Sequence, residues 1–157
     1  MLRFVVLLAS LGAAACSSPD VDLTKGLEVI EVSTGWHDAG VLNGQNKIVP
    51  TVTFKLKNVS GAKLKVLQAN AVFRQVGNAD EWGSGFAMVR GSAGLEPGET
   101  TEAITLRATN GYTGIQNQDE MLTHKEFVDA RLELFAKYSS KQWSRIDERT
   151  VERRLLN

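Results

Sequence analysis

The chain has 157 residues, with 18 lysines and arginines against 18 aspartates and glutamates, and a single cysteine. That length suits one ordinary domain around one core; the balanced charge leaves no basic excess to hold nucleic acid, and a lone cysteine excludes an intramolecular disulfide. Sparse proline beside 14 glycines, with many Val, Thr and Leu positions, predicts a strand-rich globular fold rather than disorder or a helical bundle.

Residues 1–15 do not pattern with the rest. Arg3 gives a positive start, Phe4 to Leu11 is an apolar run too short to span a bilayer, and Gly12 to Ala15 are small residues of the kind signal peptidases require. This predicts an export signal. Leu11 followed by Ala13-Ala14-Ala15-Cys16 resembles the lipobox of bacterial lipoproteins, with Ala13 standing where that family favours leucine. The resemblance implies cleavage before Cys16, a diacylglyceryl thioether on its sulfur, and a membrane partner through the lipid. Ser17, where an aspartate would signal retention, implies the outer membrane over the inner, with the domain facing the periplasm. One acyl chain binds a membrane reversibly, whereas two or more hold firmly. The alternatives for Cys16 are a buried small thiol or a cysteine beside an ordinary secretory cleavage site.

Residues 16–26, which include SSPDVDLTK, are polar, contain Pro19 and keep no sustained period. They predict a flexible tether that, extended at about 3.3 Å per residue, lifts the domain roughly 30 Å from the lipid. Residues 27–157 form the domain. Leu27 to Val32 alternates as a short strand ending at Ser33-Thr34-Gly35. Val49 to Val59 is the clearest strand, with Val52, Phe54 and Leu56 on one face and Thr53, Lys55 and Lys57 on the other; Pro50 belongs near its start or on an edge. Asn58-Val59-Ser60-Gly61 reads as a turn rather than a glycosylation sequon.

The alternation from Lys63 to Val76 changes parity between Leu64/Val66 and Ala69/Ala71/Phe73, which predicts a bulge near Val66-Leu67. Trp82, Phe86 and Met88 are evenly spaced in a strand over Glu81 to Val89, kinked at Gly83-Ser84-Gly85. Leu95-Glu96-Pro97-Gly98-Glu99 predicts a type II turn before a strand over Thr101 to Leu106. No strand signal lies between Ala108 and Phe127, and Asp119 to Val128 predicts one or two helical turns. Ala130, Leu132, Leu134 and Ala136 form an apolar stripe, Ser139-Ser140-Lys141 turns the chain into a strand over Gln142 to Arg149, and Thr150 to Leu156 is open between strand and helix.

About seven short strands separated by turns predict an all-β fold, a single antiparallel immunoglobulin-like β-sandwich with a short crossover helix. KLKNVSGAKLKVLQANAVF followed by LEPGETT is similar to the FxLYD-type domains of bacterial envelope lipoproteins, although Arg74-Gln75-Val76 replaces that family's Leu-Tyr-Asp. The similarity implies a fold more than a task.

Chemistry-bearing groups are few. His37 and His124 are far apart and neither has metal-ligand spacing, so no metal or cofactor is expected. His37-Asp38 is the one candidate acid-base pair, and a hydrolase built on it is the weakest reading. Asp119, Glu120 and Asp129 lack calcium-loop spacing and suit a helix start. Arg149, Arg153 and Arg154 among Asp147, Glu148 and Glu152 suggest a solvated ion-pair surface. Trp36, Trp82 and Tyr112, placed in loops or at strand ends, form the candidate binding surface, against the alternative that they plug the end of the sandwich. Trp143 is expected in the core. The leading expectation is a non-enzymatic, lipid-anchored module that binds an envelope protein or supports its assembly; a small-ligand or cell-wall-glycan binding module is the alternative.

Overall fold

A computed structural model describes residues 19–156. The export signal, Cys16 and Ser17 lie outside the described residues.

The described chain is an all-β sandwich of two sheets. Its elements in order are α1 (Leu23–Gly26), β1 (Leu27–Leu42), β2 (Gln45–Asn58), β3 (Leu67–Gln75), β4 (Gly83–Arg90), β5 (Ile104–Arg107), β6 (Tyr112–Gly114), α2 (Gln118–Thr123), β7 (Ala130–Lys137), β8 (Ser144–Thr150) and β9 (Leu155–Leu156). One sheet has the order β5-β2-β1-β9, with β6 also on β2; the other runs β4-β3-β7-β8. All pairings are antiparallel except β1 with β9, which is parallel; the ending left open between strand and helix is neither throughout, since residues 151–154 bend between the end of β8 and the two-residue β9. The helix α2 carries the chain from the first sheet to the second.

The core lies where period-two stripes meet. Val52, Phe54 and Leu56 of β2 face Ala69, Ala71 and Phe73 of β3 and Leu132, Leu134 and Ala136 of β7 in one buried cluster. The parity change in β3 occurs where the sequence predicts it: Val66 adopts φ 50°, the β3/β4 register shifts between Leu67 and Gln68, and Leu64 and Leu67 are both buried. The type II turn also forms, with Glu99 N–H donating to Glu96 O at 3.0 Å and Gly98 at φ 80°, a conformation glycine adopts without steric cost. Asn58 is buried, and its side chain donates to the carbonyls of Ala62 and Leu95 while accepting from Ser60 N–H and Oγ. The turn there is thus an Asx-turn sealed into the fold.

Several expectations are corrected. β1 does not stop at Gly35 but runs to Leu42; bulges at Glu31 (φ 51°) and around Gly40 (φ 81°) interrupt its alternation and hide its length. Pro50 lies inside β2, in the gap between the stretches paired with β5 and β6, where its carbonyl accepts from Ala108 N–H at 3.0 Å. Its ring nitrogen faces the same side, just beyond the last residue that β5 pairs, and so away from the β1 ladder. Residues Ala108 to Phe127 do contain a strand, the three-residue β6, too short to show a period. The strand expected from Thr101 begins at Ile104, and Thr101 instead uses its hydroxyl to accept from Leu56 N–H.

In β4 the inward positions are Gly83, Gly85, Ala87 and Val89, while Phe86 and Met88 point out. Gly85 accounts for this arrangement: a Cβ there would stand 2.7 Å from the carbonyl oxygen of Arg107, so β4 approaches β5 across the sandwich too closely for a large side chain. Trp143 is not core; it lies on the outer face of the second sheet and is 39% exposed. Residues 21–26 are not a free tether. Leu23 is buried, α1 is capped by Asp22, and Val21 N–H donates to the Tyr138 hydroxyl at 2.6 Å.

Candidate functional site

The three candidate rings converge. Trp36 sits mid-strand in β1, between Pro50 of β2 and Leu155 of β9, and its backbone N–H donates to Arg154 O at 2.8 Å. Trp82 precedes β4, held by Trp82 N–H to Phe73 O and by Asn110 Nδ2 donating to Trp82 O at 2.7 Å. Tyr112 opens β6. Ring centroids lie 6.0 Å apart for Trp36–Trp82, 5.7 Å for Trp36–Tyr112 and 4.9 Å for Trp82–Tyr112.

A fourth ring completes the cluster. Phe127 meets Trp36 edge-on at 4.9 Å and Tyr112 at 4.8 Å, and the Arg153 guanidinium lies 4.9 Å over its outer side. Arg153 is fixed by Asp129 at 2.6 Å, which holds its pKa above the ordinary arginine value. Sequence reasoning missed Phe127 because it lies in a polar segment without a period; the signal was its being the one aromatic ring between α2 and β7.

Burial decides what this cluster can do. Trp36 is sealed from solvent and Trp82 and Tyr112 are half-buried, so the cluster plugs one end of the sandwich while showing only parts of two rings. The Tyr112 hydroxyl donates to Val128 O at 3.0 Å and accepts from Gln75 Nε2 at 3.0 Å and Val128 N–H at 3.3 Å, which commits it to packing the chain after α2. Beside it opens a cleft of about 260 Å³ bounded by Tyr112, Phe127, Met121, Gln116, His124 and Glu126. His124 ends α2, where its Nδ1 accepts from Glu126 N–H at 3.3 Å.

The other candidates are dispersed. Asp38 accepts from Gly40 N–H at 2.8 Å and from Gln118 Nε2 at 2.9 Å, which together hold its carboxyl below the ordinary range. His37 and Asp38 are strand neighbours directed to opposite faces, so no paired acid and base forms there. Glu120 is spent on a capping box with Asn117, and Asp129 on Arg153. Among the described residues no group of three His, Cys, Asp or Glu side chains could hold a metal ion. Arg149 pairs with Asp147 and Arg154 with Glu152, the exposed ion pairs expected of that segment.

An apolar surface stands at the tip of the β1–β2 hairpin. Asn43 (φ 51°) and Gly44 (φ 77°) make the two-residue turn, with both central residues left-handed as the twist of a hairpin requires. Beside the turn Val41 is 70% exposed and Leu42 is half exposed, and Ile115, directly after β6, is 82% exposed. The tip is braced: Asn46 Nδ2 donates to Gln116 O at 2.8 Å, and Gln118 reaches Asp38.

No family model matches this chain, and no curated protein matches it. An X-ray structure of a Northeast Structural Genomics Consortium target is similar at 14% identity and a TM-score of 0.46, over 83% of this chain and 89% of that one.

Proposed function

We propose that the chain is a lipid-anchored lipoprotein of the bacterial cell envelope, facing the periplasm, whose sandwich is a non-enzymatic module for binding or assembling another envelope protein. The observation that carries the binding part is the braced apolar tip of Val41, Leu42 and Ile115. Large aliphatic side chains left in water at a rigid projection are a cost that a partner's apolar surface removes. The tip lies at the far end of β1 from Leu27, and thus from the end where the chain leads back toward Cys16. With the anchor at one end of β1 and the apolar tip at the other, the tip stays clear of the attachment point and open to a partner.

The alternative, glycan or small-ligand binding by Trp36, Trp82 and Tyr112, has less support. Trp36 offers no face to a sugar and the Tyr112 hydroxyl is already bonded. Photo-crosslinking from position 115 in the native envelope tests the proposal. The expected result is an adduct with one envelope protein that is lost in Leu42→Asp; recovery of nothing above background overturns it. Cys16→Ser tests the anchor, since an unprocessed or soluble product is expected and unchanged membrane partitioning would remove the lipid from the proposal.

A further inference from the structure

The outer face of the second sheet carries an aromatic patch unlike its surroundings. Phe86 is 58% exposed and Met88 54%, and the Trp143 ring meets Phe86 edge-on at 6.5 Å. Since β3 and β7 lie between β4 and β8, Trp143 reaches back across the sheet to make that contact. The ladder arranges the patch in rows: Phe86 is in register with Asn70 and Phe135, and Met88 with Gln68 and Lys137. The Lys137 ammonium stands 5.1 Å over the Trp143 ring.

The N-terminal segment docks at the edge of this patch. Tyr138, next to Lys137, donates to Pro19 O at 2.6 Å, and Lys141, two residues before Trp143, pairs with Asp20 at 3.1 Å. The chain is therefore held to the domain from Pro19 onward, only three Cα steps after Cys16, a span of about 11 Å at most. A lipid on Cys16 cannot leave the domain hanging about 30 Å below the membrane on a free tether; it draws the Tyr138 corner to the bilayer.

We propose that this patch is a membrane-contacting surface, on which Phe86, Met88 and Trp143 enter the lipid interface while Lys137 meets anionic headgroups. Tryptophan suits that depth because its apolar ring and N–H match a boundary that is oily on one side and wet on the other. Lysines keep their stems on apolar surface and their charge in the headgroups. Lys65 flanks the same corner, its carbonyl accepting from Ser139 N–H at 2.9 Å, and the Asp20 carboxylate there is paired with Lys141. The proposal rests on the lipoprotein reading for its anchor and adds an orientation, with one sheet laid against the bilayer.

The test uses the mature protein, purified from its envelope and reconstituted into vesicles of phosphatidylethanolamine and phosphatidylglycerol, with and without brominated acyl chains. Brominated lipid is expected to remove the Trp143 share of the tryptophan emission. That loss should vanish in Trp143→Leu and shrink in the doubly substituted Phe86→Ser, Met88→Ser protein, whose thermal midpoint should match the parent. Protein that carries the lipid by mass and floats with vesicles, yet is quenched no more by brominated than by plain lipid, overturns the membrane surface and leaves the anchor standing. Protein without a lipid mass that fails to float overturns both. A concentration-dependent dimer that shields Trp143 from iodide without vesicles assigns the patch to a second copy and overturns the proposal.

Discussion

Tyr138 ties the N-terminal segment to the sandwich through a single oxygen, which accepts from Val21 N–H and donates to Pro19 O, each at 2.6 Å. The Tyr138 residue is buried, and beside it Leu23 fills the core. Tyr138→Phe keeps the ring and removes both bonds. It should lower stability by about 1–2 kcal/mol, because Val21 N–H loses its partner in a half-buried place. A lower urea midpoint at unchanged slope would show this, together with faster tryptic cleavage after Lys25. Cleavage at the parent rate would mean that Leu23 alone holds the segment.

Glu133 is the one acid buried in the outer face of the second sheet. It accepts from Arg74 Nε at 2.9 Å and from Arg145 at 3.0 Å. The Arg74 hydrogen bond is the largest influence holding its carboxyl below the ordinary glutamate range; burial opposes this, and Arg145 adds to it. A depressed folded value means that the ion pair contributes fully above the ordinary range and is lost as pH falls through the folded value. Glu133→Gln should therefore cost about 1–2 kcal/mol near neutrality and flatten the acid side of the stability profile. Urea midpoints measured from neutral pH down through the carboxylate range check the sign, and a parallel offset of the two profiles would remove Glu133 from the acid dependence.

How far the sequence reveals this fold depends on whether period two survives. In β2 from Val52 onward and along β7 it survives, so Val52-Phe54-Leu56 and Leu132-Leu134 declare their buried face outright. In β1 the bulge at Glu31 shifts the register and turns one long strand into an apparent short one. The evenly spaced large residues of β4 are the exposed ones, because the close approach to β5 reserves the inner positions for glycine and alanine. Phe127 and the docking of Val21 on Tyr138 depend on contacts between residues distant in sequence, which no local pattern encodes.

Gly85 makes that close approach testable. A methyl group there would meet Arg107 backbone oxygen at 2.7 Å and nitrogen at 3.0 Å, atoms that cannot rotate aside. Gly85→Ala should push the β4 edge from β5 and cost about 1–3 kcal/mol, as overpacking does elsewhere. Gly91→Ala is the matched control, since nothing lies within 4 Å of its added carbon, and it should stay within about 0.5 kcal/mol of the parent. Equal denaturation midpoints for the two variants would show that the sheets can part there without loss.

Trp36 sets two costs against each other. Its ring is sealed among Trp82, Tyr112 and Phe127, yet its Nε1 is the one buried side-chain nitrogen or oxygen without a hydrogen-bond partner among the described residues. Trp36→Ala empties the centre of the plug and should cost about 3–5 kcal/mol. Trp36→Phe also leaves a void, but it removes the unpartnered N–H, whose burial costs about 1–3 kcal/mol. The phenylalanine variant should therefore lie within about 2 kcal/mol of the parent, a smaller loss than volume alone would give. Denaturant unfolding of both variants separates the terms: a Trp36→Phe loss as large as that of Trp36→Ala would mean that the indole N–H is satisfied in solution, by water or by the face of a neighbouring ring.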